Sequence, residues 1–428
     1  MIILLFGTFI LLDVGVFFLF NKDVIAPPFI FCAMYTVSIA FALTEYKNWQ
    51  LSDYSIKSFW IYLGGAIIFC FIGYLISKLC DFLCVNNNVS RKLKILKVNK
   101  YLFYFLVLID LIALLLLIKD VKSIGGTGNL SQTLETFRQL SGYSADNQLP
   151  GYDNQLLKIV TVTAYISSFI CINNKMAGCN KRDYMFLCIP GIIYIFYSMF
   201  LSNRLNLLEL ASALVVYYCL LRQIKMQKRG VSFKLLVRIV LIFIIVLLMF
   251  SLFRMYFGRT DDANTQHYLA VYIGGPVKLF DLFIKDPVHS EFWGKETFYG
   301  LLKNLRGFGF NSIPDYIAHK EFRFVNGIGI GNVYSAYRPY IADFGLKGLI
   351  VLQVIFSIFF NGMYFIMQKK DFYRKPLIAI LYGYMIILVF MHPIDDEFYR
   401  MFFNIGFIIY IMIFILIYCM LTKKIKLK

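Results

Sequence analysis

Apolar runs of about 20 residues, parted by short polar links, recur along most of this chain, and that is the helix length a bilayer core about 30 Å thick requires. A soluble core rarely repeats such runs, because every face of each helix would need a covering partner. The composition agrees: 59% of the 428 residues are hydrophobic and 18% aromatic, and a mean hydropathy of +0.68 lies far above soluble averages. The expected fold is therefore all-α, a polytopic integral membrane helical bundle. A net charge of +18 would suit nucleic acid, but Lys and Arg sit mainly in the links, as the positive-inside bias dictates. No nucleic-acid partner is expected.

The runs fall at residues 1–20, 24–43, 59–79, 101–118, 156–172, 184–201, 205–221, 235–253, 341–367, 377–391 and 401–421, about eleven spans in all. The first lacks a basic leader and a small-residue cleavage site, so it reads as a retained span rather than a signal peptide. Basic stretches at 91–100, 175–182, 222–234, 369–375 and the C-terminal tail mark the cytoplasmic side. That places the N-terminus outside, the C-terminus inside, and two long loops, 119–154 and 254–340, facing outward. The chain divides into residues 1–253 (spans 1 to 8 with the first long loop), the large outer loop 254–340, and residues 341–428. Trp49 and Trp60 suit an interfacial belt. The nine cysteines lie in spans or inner links, which argues against a disulfide framework. Cys80 and Cys84 form a lone Cys-x3-Cys, read as small apolar residues at a helix end rather than a zinc site.

The loop 254–340 stops the hydrophobic rhythm for far longer than a usual connection. Its aromatics argue against disorder, so it is expected to carry the function. The outer face holds arginines that topology does not require: Arg138, Arg204, Arg254, Arg259, Arg306, Arg323, Arg338 and Arg400. Guanidinium grips phosphate oxygens bidentately and stays charged, so Arg138, Arg204, Arg254, Arg259 and Arg338 are assigned to a membrane-anchored pyrophosphate. For any one of them, snorkelling toward lipid headgroups is the plainer account. Tyrosines including Tyr268, Tyr272, Tyr334, Tyr337 and Tyr340, with Trp293, offer the flat faces that sugars stack on. Proton transfer is assigned to His319 or Asp343. Asp395, Asp396 and Glu397 read as a solvated acidic link rather than a cation site, and no metal or other cofactor is expected. Gly327-x-Gly329-x-Gly331 follows no strand pattern and is discounted as a nucleotide loop. Asp13, Asp110 and Glu209 fall inside spans and should face the bundle interior.

Asn332-x-Tyr334, Arg338 and Asp343-Phe344-Gly345-x-x-Gly348 at the loop's exit, with Ser202-Asn203-Arg204 opening a span, resemble the Wzy-type O-antigen and polysaccharide repeat-unit polymerases of the O-antigen polymerase and ligase superfamily. The resemblance covers the whole layout. It implies a GT-C-like fold and glycosyl transfer on the outer face of a bacterial inner membrane. The donor would be the growing glycan on undecaprenyl pyrophosphate, and the acceptor the next lipid-linked oligosaccharide. Metal and nucleotide would not be needed. It also adds Asn332, beside Tyr334 and Tyr337, to the glycan-binding residues, and membrane lipids and a chain-length regulator protein to the partners. Related ligases end this loop with a His-Asn pair and a Glu before the glycines. Gly331 stands at that His position here and Asp343 replaces the Glu at a longer spacing. A ligase and a flippase or transporter for lipid-linked glycans are the alternatives.

Overall fold

The structure, a computed structural model, describes residues 1–83, 93–126, 128–143, 148–228, 230–256, 265–314, 316, 320–369 and 376–422. It is an all-α bundle of apolar helices. A helix lies on each of the expected apolar runs: α1 (Ile2–Leu19), α2 (Pro27–Leu43), α3 (Ile56–Leu83), α4 (Lys100–Gly125), α6 (Gly151–Met176), α7 (Ile189–Phe200), α8 (Leu205–Met226), α9 (Phe233–Tyr256), α13 (Tyr337–Lys369), α14 (Pro376–Met385) with α15 (Ile387–Met391), and α16 (Ile405–Thr422). Among the described residues, seven helices are long and apolar enough to cross a membrane, whereas Pro27–Leu43, Met185–Phe200 and Pro376–Met391 are shorter apolar helices. The first long loop is largely helix. α4 continues to Gly125, α5 (Leu130–Tyr143) lies against it, and α6 begins at Gly151.

Two groups of helices pack side by side. In one, α3 runs along α13, and α1 and α2 lie together; in the other, α4, α7, α8 and α16 surround α6. α14 and α15 join them through contacts to α8, α13 and α2. Acids inside the spans face protein, as expected. Asp110 is fully buried, and Asp13 accepts a bond from Thr36 Oγ1 at 2.5 Å. Trp49 departs from its expected interfacial place, since it is fully buried while Trp60 stays exposed.

The links sort onto two faces. Val231 N donates to the Lys22 carbonyl at 3.1 Å and Asn99 N to the Leu421 carbonyl at 3.0 Å. Asn173 and Asn174 hold the Lys94 and Leu96 carbonyls, and Lys225 reaches the Met176 carbonyl. These are links that the basic residues assign to one side. At the other end Gln50 bonds Asn326 at 2.7 Å, and Ser290 N donates to the Ala342 carbonyl at 3.0 Å.

The large loop is folded back onto the bundle. α10 (Thr265–Leu269), a π-helical turn (Ala270–Gly274) and α11 (Gly275–Lys285) form a nearly continuous helix laid against α2 and α3. The approach is close enough that Ser38 donates to the Ile273 carbonyl at 2.6 Å, and a Cβ on Gly274 would lie 2.3 Å from the Ala42 nitrogen. α12 (Tyr299–Gly307) follows, then a hairpin of β1 (Arg323–Val325) and β2 (Ile328–Gly331). Asn326-Gly327, with φ of 51° and 74°, turns it, the pair that a two-residue hairpin loop favours. The chain re-enters the bundle at α13, which breaks at Gly345 (φ 66°, ψ −167°), a backbone region open essentially to glycine alone. Tyr337–Phe344 thus forms a separate turn of helix above the long span.

Candidate functional site

Opposite charges concentrate where the folded loop meets the link between α15 and α16. Arg338, in the short helical turn ahead of Gly345, is 1% exposed. One guanidinium nitrogen pairs with Glu296 and the other with Glu321. Its plane lies 4.6 Å from the Tyr334 ring centre and 5.2 Å from that of Phe283. Glu321 is shared, since Arg323 binds it at 3.2 Å while also reaching the Leu282 and Asp286 carbonyls. Lys320 pairs with Asp395, which Arg400 also approaches at 3.3 Å. A buried cation with two carboxylates is held by low dielectric and by hydrogen bonds together.

The carboxylates differ in character. Burial pushes Glu296 up, and this outweighs the pull of Arg338. Glu321 is also partly buried, yet Arg338 and its own hydrogen bonds hold it below the usual range. Burial likewise works against Asp395, but Lys320 and Arg400 keep it low. Asp396, fully enclosed, is pushed by burial up to about 8. It accepts from Tyr340 Oη at 3.1 Å and Tyr399 N at 3.2 Å through Oδ1, while Oδ2 has no hydrogen-bond partner among the described residues. The acidic triplet is therefore not the solvated link expected. Among the described residues no group of three or more His, Cys, Asp or Glu is arranged to hold a metal ion.

Asp396 yields a pH prediction. Its folded carboxyl keeps a proton between about pH 4 and pH 8, where the unfolded chain has released it, so stability falls as pH rises through that window. Asp396→Asn should flatten this slope and raise the melting temperature relative to wild type at pH 8. An unaltered slope in thermal unfolding from pH 5 to 8 would remove Asp396 as its source.

The remaining assigned residues disperse. Asp343 accepts the Thr297 N–H at 2.7 Å and the Glu296 N–H at 3.2 and 3.3 Å, so it holds the chain ahead of α12. Arg204 is buried, with its guanidinium 5.6 Å from the Tyr268 ring centre. Arg204 and Arg338 therefore touch the same folded-back helix at Tyr268 and Phe283, roughly 20 Å apart at 1.5 Å per residue. Arg138 lies on α5, half-buried, its Nε without a hydrogen-bond partner among the described residues. Arg254 lies in the last turn of α9. Arg259 and His319 fall outside the described residues.

Tyr334 and Tyr337 correct an expectation: both are fully buried. Tyr334 donates to the Glu321 carbonyl and carboxylate, each at 3.1 Å. Tyr337 packs among Tyr35, Tyr62, Phe280 and His392. Neither presents a face to a sugar, because the loop folds inward and uses them as core. Asn332 is half-buried at the hairpin's exit. The open aromatic faces are instead Trp293, Phe308, Phe310, Phe322 and Phe324, each more than half exposed. Trp293 stacks on Phe298 at 5.3 Å. Glu296 and Lys320 escaped the reading of the sequence, which weighed single residues and had no signal for which charges the loop would fold together.

Comparison with known proteins gives no further assignment: no family model, no curated protein and no solved structure matches the chain.

Proposed function

We propose that this membrane protein is a glycosyltransferase that joins lipid-linked oligosaccharide repeat units, as the resemblance to the Wzy-type polymerases implies. The observation that carries the reading is the pair of buried arginines, Arg204 and Arg338, set at two points of one folded-back helix. A repeat-unit polymerase handles two pyrophosphate-bearing lipids at once, and two separated cationic points suit a donor and an acceptor. The bundle would adopt the GT-C-like arrangement of about eleven spans in a bacterial inner membrane, N-terminus outside.

In the reaction, an acceptor hydroxyl oxygen attacks the anomeric carbon of the donor. The carbon–oxygen bond to the pyrophosphate breaks, and undecaprenyl pyrophosphate leaves with the electron pair, its charge met by guanidinium. Glu296 takes the hydroxyl proton. When a pyrophosphate oxygen claims Arg338, Glu296 loses its counter-ion and becomes a stronger base, which couples substrate arrival to base strength. Exposed aromatics such as Trp293 then offer stacking faces to the glycan. His319, the alternative base, lies outside the described residues.

A transporter has one observation in its favour, the polar side chains inside the bundle. Many of them, however, bond back to their own helices: Thr161 to Leu157, Thr163 to Ile159, Ser357 to Gln353 and Asn361 to Ser357. These hydrogen bonds stay within one helix and do not by themselves line a path.

The test is a host strain deleted for the gene and complemented with wild type, Arg204→Ala or Glu296→Gln. Gel separation of the surface glycan should give a full ladder for wild type and single repeats for both variants. Ladders from both would overturn the site. Glycan accumulating on the carrier would indicate a ligase, and none at the surface a flippase.

A further inference from the structure

A cavity of about 610 Å³ opens on the face that carries the basic links, lined by Asn21, Lys22, Arg222, Met226, Lys228, Gly230, Val231 and Ser232. Three helix ends meet there: the C-termini of α1 and α8 and the N-terminus of α9. The volume falls within the 300–1,000 Å³ common for small-molecule sites. Three of its lining residues are cations and none is acidic. Asp23 is next in sequence to Lys22. It is buried and turned inward, accepting from Gln223 at 2.7 Å and Tyr364 at 2.5 Å. Among the described residues, no ion pair involves Lys22, Arg222 or Lys228.

The walls are fixed by backbone rather than by the cations. Val231 N donates to the Lys22 carbonyl at 3.1 Å, and Asn21 and Lys22 both take left-handed conformations, with φ of 57° and 61°. The positive N-terminal end of α9 is offset by the C-terminal ends of α1 and α8, so the three cations supply the positive potential. Exposed apolar side chains flank the mouth: Phe18 and Leu19 on α1, Met226 on α8, Val237 and Leu241 on α9.

We propose that this cavity binds the phosphate of an anionic membrane phospholipid, Lys22, Arg222 and Lys228 holding the headgroup and the apolar flanks of α1 and α9 carrying the acyl chains. Positive charge at the membrane surface alone would need no cavity. A free phosphate would use the cations but not the flanks. The site stands apart from the glycosyl-transfer reading, so either can fail without the other.

Purified protein in nanodiscs of phosphatidylcholine with a minor share of phosphatidylglycerol, released and weighed by native mass spectrometry, tests the proposal. Wild type should retain phosphatidylglycerol, and Lys22→Gln/Arg222→Gln/Lys228→Gln should retain it about a hundredfold less. Millimolar inorganic phosphate should not displace it. The control Lys94→Gln/Lys97→Gln/Lys181→Gln, on the same face but outside the cavity, should retain it like wild type. Equal retention by the cavity variant, or an equal loss in the control, would overturn the site. Displacement by inorganic phosphate would overturn the lipid assignment. If the triple variant fails to fold, the exposed single change Lys228→Glu should give a loss of the same sign.

Discussion

Arg338→Met should cost about 3 kcal/mol of stability, because it leaves Glu296 and Glu321 without the buried cation that pairs them. The loss comes from stranding charge rather than from losing an attraction. Converting both partners in the same chain, Glu296→Gln and Glu321→Gln, should therefore recover most of it. Glu321 keeps Arg323 as a neighbour at 3.2 Å, so Glu296 accounts for the larger share. Thermal unfolding in one detergent measures this directly. Under the proposed function, glycan polymerisation should stay lost in both the single and the triple variant, since both lack the guanidinium assigned to the pyrophosphate. A single Arg338→Met variant as stable as wild type would mean that the cluster is wetter than its burial implies.

The second large effect concerns Gly274. Its Cβ would meet the Ala42 nitrogen at 2.3 Å and the Phe41 carbonyl carbon at 2.6 Å, both backbone atoms that no rotamer change can move. Gly274→Ala must push the folded-back helix off α2, breaking the Ser38 bond to the Ile273 carbonyl. Overpacking of this kind costs about 1–3 kcal/mol, and the backbone contact favours the upper end. Since Arg204 and Arg338 both lean on this helix, activity should fall with stability. Gly64→Ala on α3, where nothing lies within 4 Å, is the control and should leave both unchanged. If Gly274→Ala melts with Gly64→Ala, the helix is not seated on α2 as described.

Much of the architecture was legible because hydropathy at spanning length has few other solutions. Charge in links is a topological signal that needs no contacts, and the links near residues 22, 94–99, 173–176 and 225–231 do bond to one another or to neighbouring helix ends on one face. The region 254–340 resisted this reading. Residues 265–285 carry enough apolar side chains to pack on α2 and α3, but at that length they look like neither a span nor a loop. Asn326-Gly327 between Phe324-Val325 and Ile328 is a hairpin signal by its own chemistry, and the expectation of a wholly helical chain passed over it. Tyr334 and Tyr337 were assigned to sugars because aromatic type alone does not reveal the side a residue faces. Arg338 stood out as a residue that topology did not require, yet its two carboxylate partners lie 42 and 17 positions away in sequence, and only the fold brings them together.

In the proposed reaction the arginines act on lipid pyrophosphate in a transfer between two carrier-linked glycans. Purified protein in nanodiscs, supplied with an undecaprenyl pyrophosphate-linked repeat unit and no metal or nucleotide, tests it most directly. Wild type should give products lengthened by whole repeats and one released undecaprenyl pyrophosphate for each join, with Arg204→Ala and Glu296→Gln inactive while still folded. Product formation by both variants at the wild-type rate would contradict it, as would wild-type protein that leaves the substrate unjoined.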